Sequence, residues 1–566
     1  MVDPASVWRT AYRHPVAWDA HYPSMSLPEM FAASAAQWPD RPLIDFMGRK
    51  YSYAETLAGV RRVAAGLAAL GVGKGDRVGL FLPNVPHYVA AYYGALAAGA
   101  TIVNFSPLYT VDELAHQVED SGTKILFTLS ASALLPTALE VMEKTGLERL
   151  VVGSVAGALP ATKSLFYRLF RGKEVTPRPH DPRIIAFSKL IHNDGKAPDV
   201  TIDPDRDVAM LQYTGGTTGT PKGAKLSHQA MTANARQIVA IDPRHEDVDR
   251  IIGVLPLFHI FANATVLNRT VLNGGEMVLL PRFDAGQTLA ALARTHATSL
   301  PGVPTMYRAL LDHPKTARTN FSSLRICISG GAPLPQELKT RFEDVTGARL
   351  CEGYGLTESG IVSANPYEGE NRTGTIGQPL PATTFRLVDR EDPHRPAADG
   401  EPGEIVIHGP QIMMGYWNRP DADADIFVDG GLRTGDVGLI DADGYIRIVD
   451  RLKDMIAVGG FKVFPSQVEA VLYRHPAVKE ALVIGIPDPY RGESPKAFVT
   501  LQEGAQVSGE ELRAWLNPQL GKHERVVEVE IRLNLPKTLI GKLSRKELVA
   551  EEAAKAAAAP VSTSAA

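Results

Sequence analysis

A glycine- and threonine-rich loop at residues 213–223 constrains the fold of this 566-residue chain more than any other stretch. The apolar run at 208–213 predicts a buried strand before the loop, and Ser227 is a typical N-cap for a helix after it. Glycines let successive backbone N–H groups point into one concavity, threonine hydroxyls add donors, and Lys222 adds positive charge. The sequence therefore predicts a strand, a phosphate-binding loop and a helix, with polyphosphate as the ligand.

Two other interpretations of this loop need to be weighed. It does not follow the G-x-x-x-x-G-K-[ST] pattern of P-loop NTPases, because Pro221 precedes Lys222 and Gly223 follows it. A Walker-type NTPase is therefore disfavoured. A Gly/Thr run taken alone is equally compatible with a flexible surface loop, so support has to come from other parts of the chain.

Length, charge and cysteine content limit the classes of protein to which this chain can belong. A chain of 566 residues with 45% hydrophobic content exceeds one ordinary core and predicts at least two domains. The formal charge of -4 implies no global attraction to nucleic acid or membranes. Cys327 and Cys351 are the two cysteines, which excludes a disulfide framework and favours a reducing compartment. Without a signal-peptide pattern or a bilayer-length apolar run, we expect a soluble, cytoplasmic protein.

Strand and helix signals alternate over most of the region before residue 389. The pairs Ser26 with Glu29 and Ser52 with Glu55 are capping-box signatures that predict helix starts. Such alternation predicts an α/β protein whose parallel sheets are covered by helices. A helix is expected to start at 330–333. The strands predicted around these helices are 78–82, 101–104, 125–128, 251–255, 277–280 and 324–329.

The later part of the chain has a different texture. Past Asp389, short strands and turns predict a small β-rich unit. A charged stretch beginning at Asp450 leads into a region with its own strands and helices, where Ser466 and Glu469 form another capping-box signature. The Ala-rich end predicts a frayed helix and a disordered tail. We predict a boundary at Asp450, between domains 1–449 and 450–566.

Residues 155–197 interrupt the alternation with a proline-rich, basic stretch. Within it, residues 165–171 mix aromatic and cationic side chains, which is typical of an interfacial helix. A solvated connector with a partly buried aromatic turn explains the same composition, and we favour it because one short segment has little membrane affinity by itself. Weak peripheral contact with the inner face of the membrane is the alternative.

Further motifs corroborate the loop. They are 352–358 (EGYGLTE), 432–436 (LRTGD), 450–454 (DRLKD) and 535–542 (LPKTLIGK). Each is weak alone, but with the loop they occur in the order and spacing of acyl-adenylate-forming enzymes. The chain resembles this superfamily along essentially its whole length. It resembles in particular the bacterial long-chain fatty-acid CoA ligases, because residues 212–219, 255–261 and 415–420 are similar to the sequence patterns of that subgroup.

The resemblance implies a fold and a reaction. The fold is a large N-terminal part, made of two α/β subdomains and a β-barrel-like unit, followed by a small mobile α+β C-terminal domain. ATP and a carboxylate would condense to an acyl-adenylate and pyrophosphate, and the CoA thiol would then displace AMP. Because two anions meet, such a site needs positioned positive charge and donors more than acid/base groups.

The resemblance also assigns nucleotide and metal contacts. Thr357 would contact the α-phosphate, and Mg²⁺ would take Glu358 and the hydroxyl of Thr214. The β- and γ-phosphates would be held by Thr214, Gly215, Gly216, Thr217, Thr218, Gly219 and Lys222. The adenosine would be bound by Tyr354 within the motif Glu352, Gly353, Tyr354 and Gly355, by the opposing wall of Gly331, Ala332 and Pro333, and by Asp436 and Arg451 at the ribose. A core aromatic for Tyr354 and a turn residue for Asp436 are the structural alternatives.

Two further residues have implied catalytic roles. Lys542 would bridge the acyl carboxylate and the α-phosphate during adenylation, whereas a solvated basic turn is its structural alternative. His259 would line the acyl pocket near the reacting carboxylate, but a histidine in an apolar stretch is often only a hydrogen-bonded core residue.

One departure from the family pattern concerns the second half-reaction. Several relatives carry a lysine where this chain has Ala457. The thioester-forming geometry would then rest on other groups, for which Gly459, Gly460 and Lys462 are candidates.

The sequence thus predicts an ATP- and Mg²⁺-dependent ligase that converts a medium- or long-chain fatty acid to acyl-AMP and then to acyl-CoA. An enzyme that passes the acyl group to a carrier-protein thiol is one alternative, and a catalytically silent nucleotide-binding lipid sensor is another. The expected partners are fatty acid and CoA, with no nucleic acid, and an oligomer is left open. Acyl chain length is not fixed by the sequence.

Overall fold

The computed structural model describes residues 6–170, 174–214, 221–459, 461–538 and 541–558. The chain forms two compact units. The larger unit consists of Met1–Thr384, His408–Phe427 and Asp443–Tyr445, and the smaller unit consists of Phe385–Ile407, Val428–Ala442 and Ile446–Ala566.

Several helices begin where the local sequence provides a capping side chain. Ser26 and Ser52 form the expected capping boxes with Glu29 and Glu55. The α-helices are α1 Ser6–Ala11, α2 Leu27–Gln37, α3 Tyr53–Ala69, α4 Pro86–Ala97, α5 Val111–Ser121, α6 Leu135–Lys144, α7 Val155–Ala158, α8 Ala161–Phe170, α9 Phe187–Leu190, α10 His228–Ala240, α11 Ile260–Ala262, α12 Arg269–Asn273, α13 Ala285–Thr295, α14 Pro304–Leu311, α15 Gln336–Thr346, α16 Pro420–Ile426, α17 Pro465–Leu472, α18 Gly509–Leu516 and α19 Lys546–Ala558.

The strands of the structure include those that were predicted, to within a few residues, together with others that were not predicted. They are β1 Pro42–Phe46, β2 Arg49–Ser52, β3 Arg77–Leu80, β4 Thr101–Asn104, β5 Ile125–Leu129, β6 Arg149–Gly153, β7 Ile184–Ala186, β8 Val208–Tyr213, β9 Gly223–Ser227, β10 Arg250–Gly253, β11 Glu276–Leu279, β12 Ser299–Gly302, β13 Ile326–Ser329, β14 Arg349–Leu356, β15 Gly360–Ala364, β16 Gln378–Pro379, β17 Thr384–Val388, β18 Gly403–His408, β19 Phe427–Val428, β20 Gly431–Ile440, β21 Ile446–Arg451, β22 Ile456–Val458, β23 Phe461–Val463, β24 Val478–Asp488, β25 Gly492–Leu501 and β26 Glu528–Ile531.

The larger unit contains two mainly parallel sheets. One has the order β7-β6-β5-β3-β4-β8-β9, and the other has the order β16-β15-β14-β13-β12-β10-β11-β1-β2. Helices α13 to α15 pack against strands of the second sheet, where Leu292, Leu300 and Phe342 belong to one apolar core. The predicted α/β class is therefore confirmed, and the carboxyl ends of parallel strands are where ligands bind in such sheets.

The phosphate-binding loop connects two strands, which the sequence analysis did not predict. Residues 215–220 lie outside the described residues, but β8 continues across the loop into the antiparallel strand β9, with Tyr213 opposite Gly223. The predicted helix α10 begins only after β9, with Ser227 as its cap. The expected order of strand, loop and helix is thus wrong by one strand. Alternation of buried Ala224 and Leu226 with half-buried Lys225 is the period-2 signal that was missed.

One other expectation in the larger unit needs correction. Residues 330–333 do not start a helix, because α15 begins at Gln336. The 352–358 motif lies largely within β14, which runs to Leu356 and pairs antiparallel with β15. Both motifs therefore lie on or directly after the neighbouring strands β13 and β14.

The smaller unit contains the predicted short strands. One sheet has the order β17-β18-β20-β19, with β21 on β20, and the other has the order β23-β22-β25-β24, with β26 on β25. Helices α17 and α18 pack on the second sheet, where Val468, Leu512 and Val499 share a core.

The expected capping box at Ser466 is not formed. The Ser466 hydroxyl instead donates to Val449 O and to Asp450 Oδ2, and Glu469 accepts from the Arg545 guanidinium. Tertiary partners have thus displaced the local cap. The Ala-rich end is helical as far as it is described, because α19 extends to Ala558.

Within the described residues, no helix combines the length and apolarity needed to cross a bilayer. Helix α8 is nevertheless unusual, because Leu165, Phe166 and Leu169 are 59%, 63% and 67% exposed.

Candidate active site

The two arms of the phosphate-binding loop are held together at its base. The Thr214 N–H donates to Lys222 O at 2.9 Å, which extends the β8–β9 pairing by one residue. Lys222 is exposed and Thr214 is half-buried. Gly215, Gly216, Thr217, Thr218 and Gly219 lie outside the described residues, so their expected role stays a prediction.

Glu358 follows the end of β14 and is half-buried. The Tyr416 hydroxyl donates to Glu358 Oε1 at 2.7 Å, and the Lys222 Nζ lies 5.1 Å from the centre of the Tyr416 ring. The structure thus brings the expected metal ligand and the expected phosphate-binding lysine to the same aromatic side chain. Sequence analysis did not single out Tyr416.

The residues present suit Mg²⁺ delivered with a nucleotide. Among the described residues, no group of three or more histidine, cysteine, aspartate or glutamate side chains could hold a metal ion by itself. Mg²⁺ prefers oxygen ligands and usually binds through one or two carboxylates together with substrate phosphates and water. Glu358 and the Thr214 hydroxyl offer such oxygen ligands, so the donor set fits this ion.

The expected walls of the adenine site come from adjacent strands. Ser329 at the end of β13 lies beside Glu352 in β14, and Tyr354 follows on the same strand, half-buried. Of the opposing wall, Gly331 and Pro333 are exposed, and Ala332 is half-buried. The structure therefore brings the 331–333 turn and the Tyr354 strand together at one end of the sheet.

Glu352 connects these two walls. Its Oε1 accepts the Leu334 N–H at 3.3 Å, and its side chain is buried. Burial raises the pKa of Glu352 to about 8, although the Leu334 N–H opposes the shift. The carboxyl group is therefore mostly neutral at pH 7 and acts as a tie between β14 and the 330–334 turn.

The end of the motif is sterically tight. A Cβ at Gly355 would lie 2.1 Å from Gly360 O, so only glycine allows β14 and β15 to approach this closely. Gly353 lies opposite Ala364 in the same pair of strands. This pairing sets the position of Thr357, which is half-buried in the connection between the two strands.

His259 caps a short helix. Its Nδ1 accepts the Phe261 N–H at 3.2 Å at the start of α11, and the side chain is half-buried. A π-helical turn, Asn263–Asn268, follows directly, and such turns are frequent at functional sites. The hydrogen-bonded structural role is therefore present, and the role at the acyl carboxylate stays a prediction.

In the smaller unit, Asp436 and Arg451 form an ion pair. They lie opposite each other on β20 and β21, with Arg451 Nε 3.0 Å from Asp436 Oδ1. Asp436 is 3% exposed and lies within a strand, so the structural alternative of a turn residue does not describe it. The pairing joins the two residues that were expected to contact the ribose.

Two other cations of the segment that contains Lys542 are paired with acids. Lys537 pairs with Glu480, and Arg545 pairs with Asp454 and Glu469. Lys542 is half-buried and forms no ion pair among the described residues.

The environment of Lys542 disfavours its charge. Burial and the nearby charge of Arg451 together lower the pKa of Lys542 to about 8, although Asp436 opposes the shift. Lys542, Arg451 and Asp436 are therefore electrostatic neighbours.

The candidates for the CoA step lie on the β22–β23 hairpin. Gly459 has φ of 57° and donates its N–H to Arg491 O at 2.7 Å. Lys462 is exposed and lies 3.7 Å from Glu391. Gly460 lies outside the described residues. The Ala457 N–H donates to Glu493 Oε2 at 2.8 Å, which anchors the main chain at this position.

Comparisons with known proteins agree with this arrangement. Residues 31–417 match the AMP-binding enzyme family, and residues 467–542 match the AMP-binding enzyme C-terminal domain. The chain belongs to the AMP-binding enzyme family. The expected acyl-adenylate-forming superfamily is thereby confirmed.

Curated relatives and solved structures match nearly the whole chain. The long-chain-fatty-acid–CoA ligase of Bacillus subtilis (strain 168) is 39% identical over 96% of this chain and 98% of its own length. The enzyme of the same name from Escherichia coli O157:H7 is 38% identical over 92% of this chain and 94% of its own. The crystal structure of ATP-bound MatB from Rhodopseudomonas palustris is similar with a TM-score of 0.82 at 30% identity, covering 93% of this chain and 99% of that one.

The neutral Glu352 generates a stability prediction. Its folded pKa of about 8 lies above its ordinary value of 4.5, so between these values the folded state binds more protons than the unfolded state. Stability contributed by the neutral acid is full below about pH 4.5 and is lost as the pH rises through about 8. Glu352→Gln cannot ionise, so its Tm should exceed that of the wild type increasingly between about pH 6 and 9.

Differential scanning fluorimetry across this pH range measures the effect. Glu337→Gln, on the surface of α15, is the matched control and should follow the wild-type curve. Parallel Tm curves for Glu352→Gln and the wild type would show that Glu352 is ionised in the folded protein.

Proposed function

We propose that this chain is an AMP-forming fatty-acid CoA ligase acting on medium- or long-chain acids. The acyl carboxylate attacks the α-phosphorus of ATP, giving acyl-AMP and pyrophosphate. The CoA thiol then attacks the acyl carbon, giving acyl-CoA, AMP and a proton. The observation that carries the proposal is the 38–39% identity to long-chain-fatty-acid–CoA ligases over 92–96% of the chain.

The residues of the larger unit act on the triphosphate and adenine. Lys222 and the loop that follows Thr214 bind the β- and γ-phosphates. Mg²⁺, when bound through Glu358 and Thr214, neutralises phosphate charge. Thr357 donates to the α-phosphate. Tyr354 stacks on the adenine, opposite the turn of residues 331–333.

The residues of the smaller unit act on the ribose and the reacting centre. Asp436 accepts the ribose hydroxyls, and Arg451, already paired with it, adds a donor. Lys542 contacts the acyl carboxylate and the α-phosphate. Its lowered pKa still leaves the ammonium form predominant at neutral pH, and the absence of an ion pair in the described residues leaves its charge available to these anions.

Neither alternative function is favoured. A silent lipid sensor has no need for Glu358, Thr214 and Lys542 together. Transfer to a carrier protein is opposed by the curated relatives, whose names specify CoA.

The decisive experiment is pyrophosphate release from a graded panel of saturated fatty acids and aromatic acids, with and without CoA. Thioester formation is followed in the same samples. We expect pyrophosphate release to be maximal with a medium- or long-chain acid, and thioester formation to require CoA. Turnover of short aromatic acids equal to that of the fatty acids would contradict the proposed substrate class. Thioester formation only when an acyl carrier protein replaces CoA would support the carrier alternative.

Lys542 gives a prediction that separates the two half-reactions. We propose that residues 450–566 form a mobile domain that brings Lys542 to the α-phosphate in one state and withdraws it in another. Lys542→Ala should then slow acyl-adenylate formation by about 10²- to 10³-fold, the scale of one transition-state contact. It should still convert supplied acyl-AMP and CoA to thioester at a near-normal rate.

Both rates can be measured on purified protein, with Lys537→Ala as the control cation from the same segment. Equal loss in both half-reactions, or in neither, would contradict the proposed role of Lys542 and the alternation of the domain.

We also propose that α8 contacts anionic membranes from the cytoplasmic side. Leu165, Phe166 and Leu169 are exposed and provide an apolar surface. Arg168 and Arg171 belong to the same stretch of sequence and provide positive charge. Exposure of these apolar side chains supports lipid contact over the connector interpretation favoured from sequence.

Co-sedimentation with vesicles of anionic lipid should fall as salt rises, because attraction to the surface is screened. Arg168→Ser with Arg171→Ser should weaken binding, whereas Arg206→Ser with Lys196→Ser, in exposed positions elsewhere, should not. No binding at low salt would leave only the connector role.

A further inference from the structure

We propose that Tyr416 is a positioning residue for the adenylation step, which orients the metal-binding carboxylate of Glu358 and holds Lys222 beside it without pairing the two. This inference rests on the proposed function, because it assigns Tyr416 to the same phosphate site.

The main chain around Tyr416 forms a short β-bridge with β9, the strand that follows the phosphate-binding loop. Lys225 N–H donates to Gly415 O, and Met414 N–H donates to Lys225 O, both at 2.8 Å. Trp417 N–H donates to Gly223 O at 2.7 Å. The segment 413–417 therefore pairs with the outer edge of β9, directly after the loop ends.

The position of Tyr416 is fixed by its neighbours. Its N–H donates to Asp423 Oδ1 at 2.6 Å. Gly415 has φ of 122°, and a Cβ there would lie 2.4 Å from Asp423 Oδ2. Only glycine fits this approach, and the ring that follows is held 5% exposed.

Glu358 is held at two points by this segment. Its main-chain oxygen accepts the Met413 N–H at 2.8 Å, and its Oε1 accepts the Tyr416 hydroxyl at 2.7 Å. Burial and then the Glu358 charge raise the pKa of Tyr416 well above its ordinary value, so the phenol remains a donor. A neutral donor on one oxygen orients the carboxylate and leaves its charge for a metal ion.

The face of the same ring holds Lys222. The Nζ lies 5.1 Å from the ring centre, within the range of a cation–π interaction. Among the described residues Lys222 forms no ion pair, and it forms none with Glu358. A carboxylate partner would compete with phosphate for the ammonium group, whereas an aromatic face attracts the cation and leaves its charge unneutralised.

Asp120 connects this segment to the other arm of the loop. Its Oδ2 accepts the Tyr213 hydroxyl at 2.6 Å, and its Oδ1 pairs with Arg419 at 2.6 Å. Its main-chain oxygen accepts Trp417 Nε1 at 3.0 Å. Tyr213 at the end of β8 and the chain that follows Tyr416 are thus both attached to Asp120 in α5, which holds Tyr416 in place.

The test is Tyr416→Phe, which keeps the ring and removes only the hydroxyl. Loss of a group that orients a metal ligand typically costs about 10- to 100-fold in metal affinity or activity. We expect the Mg²⁺ concentration for half-maximal pyrophosphate release to rise by about tenfold or more. The affinity for ATP without metal should stay within about twofold, because Lys222 keeps its aromatic neighbour.

A binding readout accompanies the activity. Isothermal titration of ATP with and without Mg²⁺ should show that Tyr416→Phe loses affinity only when the metal is present. Tyr416→Leu, which also removes the ring, should weaken ATP binding in both conditions. Tyr445→Phe is the matched control, because its hydroxyl donates to Glu370 O in another part of the larger unit.

A double-mutant cycle with Glu358→Gln completes the design. In that background Tyr416→Phe should add little, since the group it orients is already changed. Unchanged Mg²⁺ dependence in Tyr416→Phe, or full additivity with Glu358→Gln, would overturn the proposal. The titrations need no acyl substrate, so their failure is distinguishable from failure of the proposed ligase activity.

Discussion

Adenylate formation requires cations that are held in place but not neutralised, because a carboxylate has to approach a phosphate of the same charge. Several buried or half-buried cations among the described residues are paired with acids. Arg269 is buried between Asp242 and Asp249, and Lys496 lies among Glu528, Glu530 and Glu552. In such pairs the positive charge is already neutralised by acidic side chains, so little of it is available to attract a ligand.

The proposed phosphate-binding lysines are held in a different way. Lys222 lies over an aromatic ring, and Lys542 is half-buried near Arg451, with no ion pair for either among the described residues. An aromatic ring attracts a cation without neutralising its charge. A guanidinium close to a lysine adds to the positive charge and strengthens the attraction of an incoming anion. The same requirement explains why Glu358 receives a phenol hydroxyl, since a lysine or arginine partner would compete with a metal ion.

Features that depend on nearby residues could be predicted from the sequence. The strands named in the sequence analysis, the capping boxes at Ser26 and Ser52 and the cap at Ser227 are present in the structure. Their signals span only a few positions. The family motifs predicted the residues of the candidate site, and the roles of these residues stay predictions.

Features that depend on distant partners could not be predicted. Ser466 and Glu469 have the spacing of a capping box, but Asp450 and Arg545 bind them instead. Tyr416 has no local signal, since its partners Glu358 and Lys222 are far away in the chain. Strand β9 has a short local signal in Ala224 and Leu226, which was missed, and its outer pairing partner, the segment 413–417, is distant in the chain.

The alanine at position 457 illustrates how a site can lose a side chain and keep its geometry. The hairpin that carries it is attached by main-chain groups: Ala457 N–H binds Glu493, and Gly459 N–H binds Arg491 O. Neither bond depends on the side chain at position 457, which is exposed. The hairpin therefore keeps Gly459 and Lys462 in position when residue 457 is alanine. The departure from the family pattern leaves these two candidates for the CoA step in place.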